Sequence, residues 1–586
     1  MNSMANSTVP IMRNSVSLLM FTAFALIPGI AFGACHVITP SGAGSKSGSD
    51  WNNACGGFTG SCAAASLTRG DAYYVGGGSG GNYVNSTSFS TPGSTNISIT
   101  GATASDHCTA TGWSSSYDVS VTPATFSTNL AWSSNTSGNN QQMWYFNSGA
   151  WTINGNTCTA NTVYQNGEQG IKFDGSVTSP GSASPMTELH FDSGVTSVSV
   201  NCVDVLGGGI QSALGEPKSI SSLTCAGGVA TATTSTPHQY NPGSQVNISG
   251  VGGSGGFNLS HGIVASRVNH NTFTYLAACT NGASASSGTV DGAYNVGFLD
   301  VHTTNLGNAP ATFEQVTIRE SAGTPFQFDY GAGALTVDHS AVIRYTNTPT
   351  YHAEAVTYCC GTFNGPNIVS NSYFLDGAGT AELVPLYHAV LSNWEVFGNV
   401  FAYAQGNPND QDYFGNGLLS CINSGTSCNT VSFYNNTCAN INRAPTGFYD
   451  DQGGGVWSNF SSKNNVWYNC GGVSGGTTGV VSDHDTFLNT AGLTGTGDYV
   501  LASGAVDPFA ADSGVTPAFL GFQLQSASVD LHLNDGTALS APYLLDPAGN
   551  TRGAGGAWDR GAFQFVTGTP PPTSVLPPTG VTATAQ

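Results

Sequence analysis

The sequence predicts an all-β protein whose core is a right-handed parallel β-helix, a solenoid of short stacked coils. The composition and an internal repeat carry this prediction. The chain has 586 residues, of which 78 are Gly, 26 are Pro and only 8% are charged, where an ordinary globular domain has about 25% charged residues. Such a chain has few residues that favour long helices and many that favour turns.

A short block recurs through the second half of the chain. Each copy holds an apolar residue, two or three mostly polar residues, and a closing triplet that is polar, then small, then apolar. The triplets are residues 314–316, 340–342, 372–374, 399–401, 436–438, 465–467 and 485–487. They start 26, 32, 27, 37, 29 and 20 residues apart. A constant block with connections of variable length is typical of a solenoid.

Asn recurs at the first position of these triplets. Stacked Asn side chains can hydrogen-bond one another from coil to coil, so we expect an Asn ladder with the apolar residues stacked inside. Residues 156–158 and 200–202 have the pattern of earlier members of the series. An ordinary β-sandwich with chance spacing is the alternative.

Three features resemble the pectate-lyase-like superfamily, the right-handed parallel β-helices of secreted bacterial proteins. They are the repeated blocks, the opening GSDWNNA at 48–54, and an ending that reads DPAGNTR from Asp546 and DRGAFQ from Asp559. The ending is similar to the closing signature of this superfamily, with Gln564 in place of the usual Glu. The resemblance implies the fold; the superfamily includes lyases, hydrolases, adhesins and proteins without known activity.

The predicted organisation has five parts. An apolar run and a small-x-small cleavage site predict a secretory signal peptide at 1–33, and hence a protein that is secreted or held at the cell surface without a membrane span. The remaining parts are the N-terminal cap and first coils at 34–217, an inserted small β-module at 218–286, the main coils and closing segment at 287–566, and a Pro-rich linker or tail at 567–586.

The formal net charge of −21 repels phosphate backbones and therefore argues against a nucleic-acid partner. It leaves neutral polysaccharides and cations as partners. No cofactor is predicted, although Ca²⁺ held by carboxylates is an open alternative. Nothing in the sequence indicates the oligomeric state.

The 14 Cys of an exported chain predict disulfides. Spacing favours three pairs: Cys55 with Cys62, Cys225 with Cys279, and Cys421 with Cys428. A metal site is not predicted, because there is no pair of Cys-x-x-Cys units with a suitably placed His.

Residues at similar offsets from the triplets should lie on one face of a solenoid, and acids and aromatic residues recur at such offsets. We predict catalytic roles for Glu354, Asp410, Asp412, Asp450 and Asp451. We predict substrate binding by Asp329, Tyr330, Tyr351, His352, Glu382, Tyr387, His388, Tyr413 and Tyr449. Aromatic rings stack on sugars and carboxylates accept hydroxyl hydrogen bonds, while paired carboxyls perform glycoside cleavage.

Two functional hypotheses follow. The first is a secreted carbohydrate-active protein that binds an extracellular polysaccharide, with cleavage by a glycoside hydrolase or lyase left open. The second is a non-catalytic adhesive or structural protein of the cell surface. The sequence lacks the Gly-His-Gly and Arg-x-Lys motifs of polygalacturonase-like hydrolases, and solvated or Ca²⁺-binding surface remains an alternative role for the acids.

Overall fold

The computed structural model describes residues 33–566, apart from 79–81, 85–86, 128–140, 176–185, 208–216, 237, 239, 241–244, 270, 293–297, 322, 347–352, 379–380, 405–416, 442–448, 451, 472–478, 514–516 and 526–530. The predicted signal peptide up to residue 32 and the Pro-rich tail from 567 onward lie outside the described residues. Within the described part, the regular elements are strands and short 3-10 turns.

The chain forms a parallel β-helix with two long parallel sheets. Sheet I has 24 strands: Cys35–Thr39, Cys55–Gly56, Ala72–Val75, Tyr83–Val84, Ile97–Gly101, Ala124–Ser127, Gly149–Asn154, Ile171–Asp174, Val195–Leu206, Ala311–Ser321, Leu335–Asp338, Ala341–Thr346, Thr362–Phe363, Asn367–Ser370, Tyr373–Ala378, Val390–Phe397, Val400–Ala402, Ser427–Tyr434, Thr437–Ala439, Val456–Lys463, Val466–Tyr468, Val480–Asp483, Thr486–Leu488 and Tyr499–Leu501.

Sheet II has nine strands: Thr87–Phe89, Gln141–Phe146, Met186–Phe191, Phe298–Thr304, Gly323–Asp329, Glu354–Cys359, Ala381–Leu386, Leu419–Ser420 and Tyr449–Asp450. Each strand of sheet II pairs in parallel with the equivalent strand of the next coil. The described 3-10 turns are Trp51–Asn53, Gly60–Cys62, Ala64–Ser66, Ser115–Tyr117, Gln452–Gly454 and Phe519–Phe522.

Sheet III is separate and antiparallel, with seven strands: Lys218–Ala226, Val229–Thr234, Gln245–Ser249, Leu259–Asn269, Thr272–Leu276, Ser284–Ala285 and Thr289–Gly292. It has its own apolar core, which includes Leu223, Phe273 and Tyr275. Cys225 is bonded to Cys279 within it.

The interior of the helix is a continuous stack of apolar side chains. Phe374 stacks on Phe401 with ring centroids 4.9 Å apart, and Trp467 lies between Phe433 and Phe487 at 5.8 and 6.1 Å. Stacking of equivalent residues follows from the parallel register, which places each coil about 4.8 Å above the one before.

The predicted ladder is present, and its Asn side chains are fully buried. Asn399, Asn436 and Asn465 each accept a hydrogen bond from the backbone N–H of the preceding ladder position, at 2.9, 3.0 and 2.8 Å. Their amide groups also donate to backbone carbonyls inside the turn. Ser340 and Ser372 begin this ladder, and Asp485 and Asp498 continue it.

The first predicted triplets do not belong to this ladder. Thr317 pairs with Ala341, so the residue opposite Ser340 is Val316, the last member of triplet 314–316. One coil earlier, Val203 stands opposite Val316, so triplet 200–202 is also out of register. Apolar residues hold the ladder position before Ser340, and the repeat in the sequence was therefore misaligned in those coils.

The closing signature is structural. Asp546 accepts the backbone N–H of Asn550 at 2.8 Å and of Gln564 at 3.0 Å. Arg552 donates to the carbonyls of Gly561 and Ala562. Phe519, Phe522 and Phe563 of the C-terminal segment then cover the outer surface of sheet I at residues such as Tyr373 and Leu488. The signature thus ties the chain end against the solenoid.

Six disulfides are present in the described residues, and the three predicted pairs are confirmed. The others join Cys35 to Cys108, Cys158 to Cys202, and the neighbours Cys359 and Cys360. Cys438 and Cys470 are free and buried.

Candidate functional site

The outward face of sheet II carries a polar cluster. The residues Trp144, Leu189, Val301, Phe326 and Val356 stand in register in successive strands and belong to the core. Because side chains alternate between the two faces of a strand, the next residue in each strand points outward. These residues are Tyr145, His190, His302, Gln327 and Thr357.

Two histidines form the centre of this cluster. His190 and His302 are paired in register, and their ring centroids are 4.4 Å apart. The hydroxyl of Thr304 lies 3.1 Å from Nε2 of both rings. Nε2 of His302 lies 2.9 Å from Oδ2 of Asp329. We call Gln142, His190, His302, Thr304 and Asp329 the histidine cluster.

The histidine cluster is largely shielded from solvent. The side chains of His302 and Asp329 are 6% and 16% exposed. Burial, together with the neighbouring His302, holds the pKa of His190 well below its usual range. His190 is therefore a neutral ring at neutral pH, with Nδ1 in contact with the Gln142 amide at 2.6 Å.

The predicted acidic residues do not form one column. Asp329 stands opposite Cys359, five residues after Glu354 in the same strand, a distance of about 16 Å along that strand. Glu354 is buried and accepts from the hydroxyl of Thr357 at 3.0 Å. Glu382 is fully buried, where desolvation raises its pKa to about 8 and Tyr345 of the core hydrogen-bonds it. Offsets counted from the triplets failed because the connecting loops differ in length.

Tyr449 is also inside the helix rather than on a binding face. It is fully buried, its ring packs edge-on against Phe433 and Trp467, and its hydroxyl lies 2.9 Å from that of Ser462. This side chain is out of reach of a sugar, so the predicted contact to substrate is wrong for this residue.

Tyr330 and Tyr387 occupy a turn at the end of sheet II. Asp329, Cys359 and Leu386 are paired in register, so the residues that follow them form a column. We call this column, Asn305, Tyr330, Cys360, Tyr387 and Asn423, the tyrosine turn. All five have left-handed backbones, with φ of 52°, 59°, 67°, 50° and 76°.

The two tyrosines project into solvent. Tyr330 is 58% exposed and Tyr387 is 49% exposed. Among the Phe, Tyr and Trp side chains that the structure describes, these two alone are classed as exposed. His388 follows Tyr387 and is exposed as well, and its backbone N–H donates to Thr426 at 3.1 Å.

The remaining predicted site residues have no described side chain. Asp410, Asp412, Asp451, Tyr351, His352 and Tyr413 lie outside the described residues. Asp450 stands in register with Ser420 in the last strand of sheet II.

Two buried carboxyls in neighbouring strands of sheet II were missed by sequence reasoning. Glu188 and Asp300 occupy adjacent strand positions and are fully buried. Desolvation, reinforced by Asp300, raises the pKa of Glu188 well above its usual range, and desolvation raises that of Asp300 to about 7. At neutral pH the pair therefore holds at least one proton. Each acid lies between two buried residues of its strand. The sequence has the same pattern when an acid between two buried residues points into solvent, so it does not show that these two acids are buried.

The two histidines were missed for a different reason. His190 and His302 lie in the segments ELHF and LDVHT of strands that flank sheet III. Their equivalence appears only when the chain between them, 111 residues long, is known to leave the helix and return one coil later.

Among the described residues, no group of three His, Cys, Asp or Glu side chains is arranged to hold a metal ion. No helix in the described part is long and apolar enough to cross a membrane.

No family model matches this chain, and no curated protein matches it. Among solved structures, it has a weak likeness to the Gp54 tailspike of Acinetobacter baumannii bacteriophage AP22, determined in complex with A. baumannii capsular saccharide. The two chains are 8% identical, the match covers 69% of this chain and 71% of the tailspike, and the TM-score is 0.10. A likeness at this score carries no argument about function.

Proposed function

We propose that this chain is a pectate-lyase-like protein that acts outside the cell and binds a polysaccharide along the tyrosine turn. The supporting observation is that the exposed aromatic side chains of the described part are Tyr330 and Tyr387, at equivalent positions two coils apart. Two strand spacings separate their backbones by about 10 Å, which a chain of linked pyranose rings can span.

Neither burial nor backbone preference accounts for these two tyrosines. A left-handed backbone costs a residue other than Gly about 1 kcal/mol, and Asn is the side chain that tolerates it best. Asn305 and Asn423 hold the same column at its two ends. Tyrosine at the middle positions is locally unfavourable, and backbone strain of this kind is often associated with a functional site. An exposed ring that stacks on the C–H face of a sugar supplies such a role.

The charge of the chain favours a neutral polysaccharide. The formal charge is −21, and Asp329 lies directly before Tyr330, where its partly exposed carboxylate can accept a hydrogen bond from a sugar hydroxyl. An anionic glycan would need a bridging cation at this surface.

Binding without cleavage is favoured over catalysis for the described acids, because these acids have structural partners. Asp485 continues the ladder, Asp546 and Asp559 belong to the closing segment, and Glu354 is bonded to Thr357. Catalytic roles for Asp410, Asp412, Asp450 and Asp451 stay predictions. A non-catalytic adhesive role fits the same binding surface.

The test is titration of the purified protein with a panel of neutral and acidic polysaccharides by calorimetry. We expect binding to at least one neutral glycan, and a loss of affinity of about tenfold or more, or 1.4 kcal/mol, in each of Tyr330→Ala and Tyr387→Ala. Val456→Ala and Val481→Ala remove exposed apolar side chains on sheet I and serve as controls that keep wild-type affinity.

Unchanged affinity in both tyrosine variants would overturn the proposed site. In parallel, reducing ends and unsaturated products are followed on the glycan that binds. Release of either product would show that the protein cleaves the glycan. Catalysis would then be favoured over binding without cleavage.

A further inference from the structure

We propose that the Cys359–Cys360 disulfide is itself a contact surface for the polysaccharide, and that one glycan chain lies across Tyr330, this disulfide and Tyr387. The inference rests on the proposed function and adds a third element between the two tyrosines.

The disulfide lies between the two rings on the same line. Cys360 is the member of the tyrosine turn between Tyr330 and Tyr387. The backbone N–H of Tyr330 donates to the carbonyl of Cys359 at 2.8 Å, and that of Cys360 donates to the carbonyl of Leu386 at 3.4 Å. Each neighbouring pair is one strand spacing apart, about 4.8 Å. A glycan that contacts both tyrosines must therefore pass over Cys360.

Stability does not explain this bridge. In the chain-entropy model the stabilisation by a disulfide grows with the length of the loop it closes. The other five bridges span 7 to 73 residues, whereas this one joins neighbours. Of the six bridges it therefore removes the least conformational entropy from the unfolded chain. Its distinguishing feature is its place at a turn beside two exposed rings.

The chemistry of the position suits the C–H face of a sugar. Cys359 packs in a small apolar cluster with Ala381, Val384, Leu386 and Ile422, and Cys360 is packed against this cluster. A disulfide has no hydrogen-bond donor and is polarizable, whereas two thiols would offer weak donors and ionise. The bridge thus forms an apolar surface on an apolar base, between two aromatic rings.

The first experiment compares the double variant Cys359→Ala/Cys360→Ala with wild type. Affinities are measured for a series of oligosaccharides of increasing length from the glycan that binds. We expect a loss of about tenfold for chains long enough to reach both tyrosines, and wild-type affinity for the shortest binder, which contacts one ring. Unfolding temperature and circular dichroism establish that the variant is folded.

A matched control is Cys421→Ala/Cys428→Ala, which removes a buried bridge of the neighbouring coil and leaves Tyr330, Tyr387 and the Cys359–Cys360 bridge unchanged in sequence. We expect its length dependence to be that of wild type. Equal loss in both double variants would overturn the proposal, because the effect would then come from loosening the coil.

A second experiment needs no variant. Dithiothreitol reduces the Cys359–Cys360 bridge to two thiols and is itself oxidised to its cyclic disulfide, so two electrons and two protons are transferred. Mass spectrometry after alkylation follows the appearance of these thiols. We expect the saturating long oligosaccharide to slow this reduction at least fivefold, and the same rate with and without glycan would overturn the proposal.

The outcomes separate the two proposals. If the tyrosine variants lose affinity while the cysteine variant binds as wild type and its bridge is not protected, the disulfide proposal fails and the proposed function stands. If the tyrosine variants also bind as wild type, both fail.

Discussion

Two columns run along this solenoid, one residue per coil, and they differ in where their side chains find partners. The ladder from Ser340 to Asp498 points inward, and each polar group is bonded to the next coil. The tyrosine turn points outward, and Tyr330 and Tyr387 leave half of their surface in water. The regularly repeated residues of this chain therefore stabilise the fold, while the residues that depart from the expected turn chemistry form the proposed binding surface.

The ladder should show the largest effect on stability. Asn436→Ala removes the acceptor of the Asn399 N–H and the donor to the Val396 carbonyl, 3.0 and 2.9 Å away. Buried polar groups left without partners cost about 1–3 kcal/mol each. We expect a loss of about 3 kcal/mol or more in the free energy of unfolding, measured by denaturant titration.

The control for this variant is Asn429→Ala, at an exposed position of the strand Ser427–Tyr434, where the side-chain oxygen accepts from Ser458 at 2.8 Å. We expect a change below about 0.5 kcal/mol. Similar losses of stability in both variants would mean that a ladder Asn contributes no more to stability than an exposed Asn. That result would contradict the comparison between the ladder and the surface.

Buried carboxyls predict an unusual pH dependence. Asp300 and Asp485 have pKa values raised to about 7, and Glu382 to about 8, whereas in the unfolded chain such groups titrate near 4. Between these limits the unfolded state binds fewer protons than the folded state, so stability falls as pH rises from about 4 to about 8 and then levels off.

The variant Asp300→Asn tests the origin of this slope. It keeps the shape of the side chain and lets an amide donate to Glu188, so we expect higher stability than wild type at pH 8 and a smaller difference at pH 5. The measurement is denaturant unfolding at both pH values. Stability that rises from pH 5 to pH 8 in wild type would contradict the assignment.

The tyrosine turn should show the smallest effect on stability and the opposite sign. Tyr330→Asn introduces the residue type that Asn305 and Asn423 already have in this column. Asn tolerates a left-handed backbone better than Tyr does. We expect the folded state to gain up to about 1 kcal/mol while affinity for the glycan falls. The unfolding midpoint and a binding titration on the same sample check both parts. A variant that loses stability would show that the ring contributes to packing.

The sequence predicted the parts of the molecule that repeat. The triplets from Ser340 onward are in register in the structure, because polar ladder residues recur only where each coil satisfies the next. The disulfides with loops of 7 residues were also predictable, because proximity along the chain limits the choice of partner.

The site was predicted only in part, for physical reasons. Tyr330 and Tyr387 were identified from their recurrence beside acids. Glu382 and Tyr449 share that pattern but are buried, because loops of unequal length place them four residues before the positions that Asp329 and Tyr330 occupy in their coil. His190 and His302 meet only through the return of the chain after sheet III, a long-range contact that no local pattern indicates.

The most direct test of the binding surface is hydroxyl-radical footprinting of the intact protein with and without the glycan, read by mass spectrometry at each residue. We predict that the glycan protects Tyr330 and Tyr387 from oxidation several-fold, while the exposed side chains Leu276 and Val456 on other surfaces react at the same rate. Protection elsewhere with no change at the two tyrosines would contradict the assignment of the tyrosine turn as the glycan-binding surface.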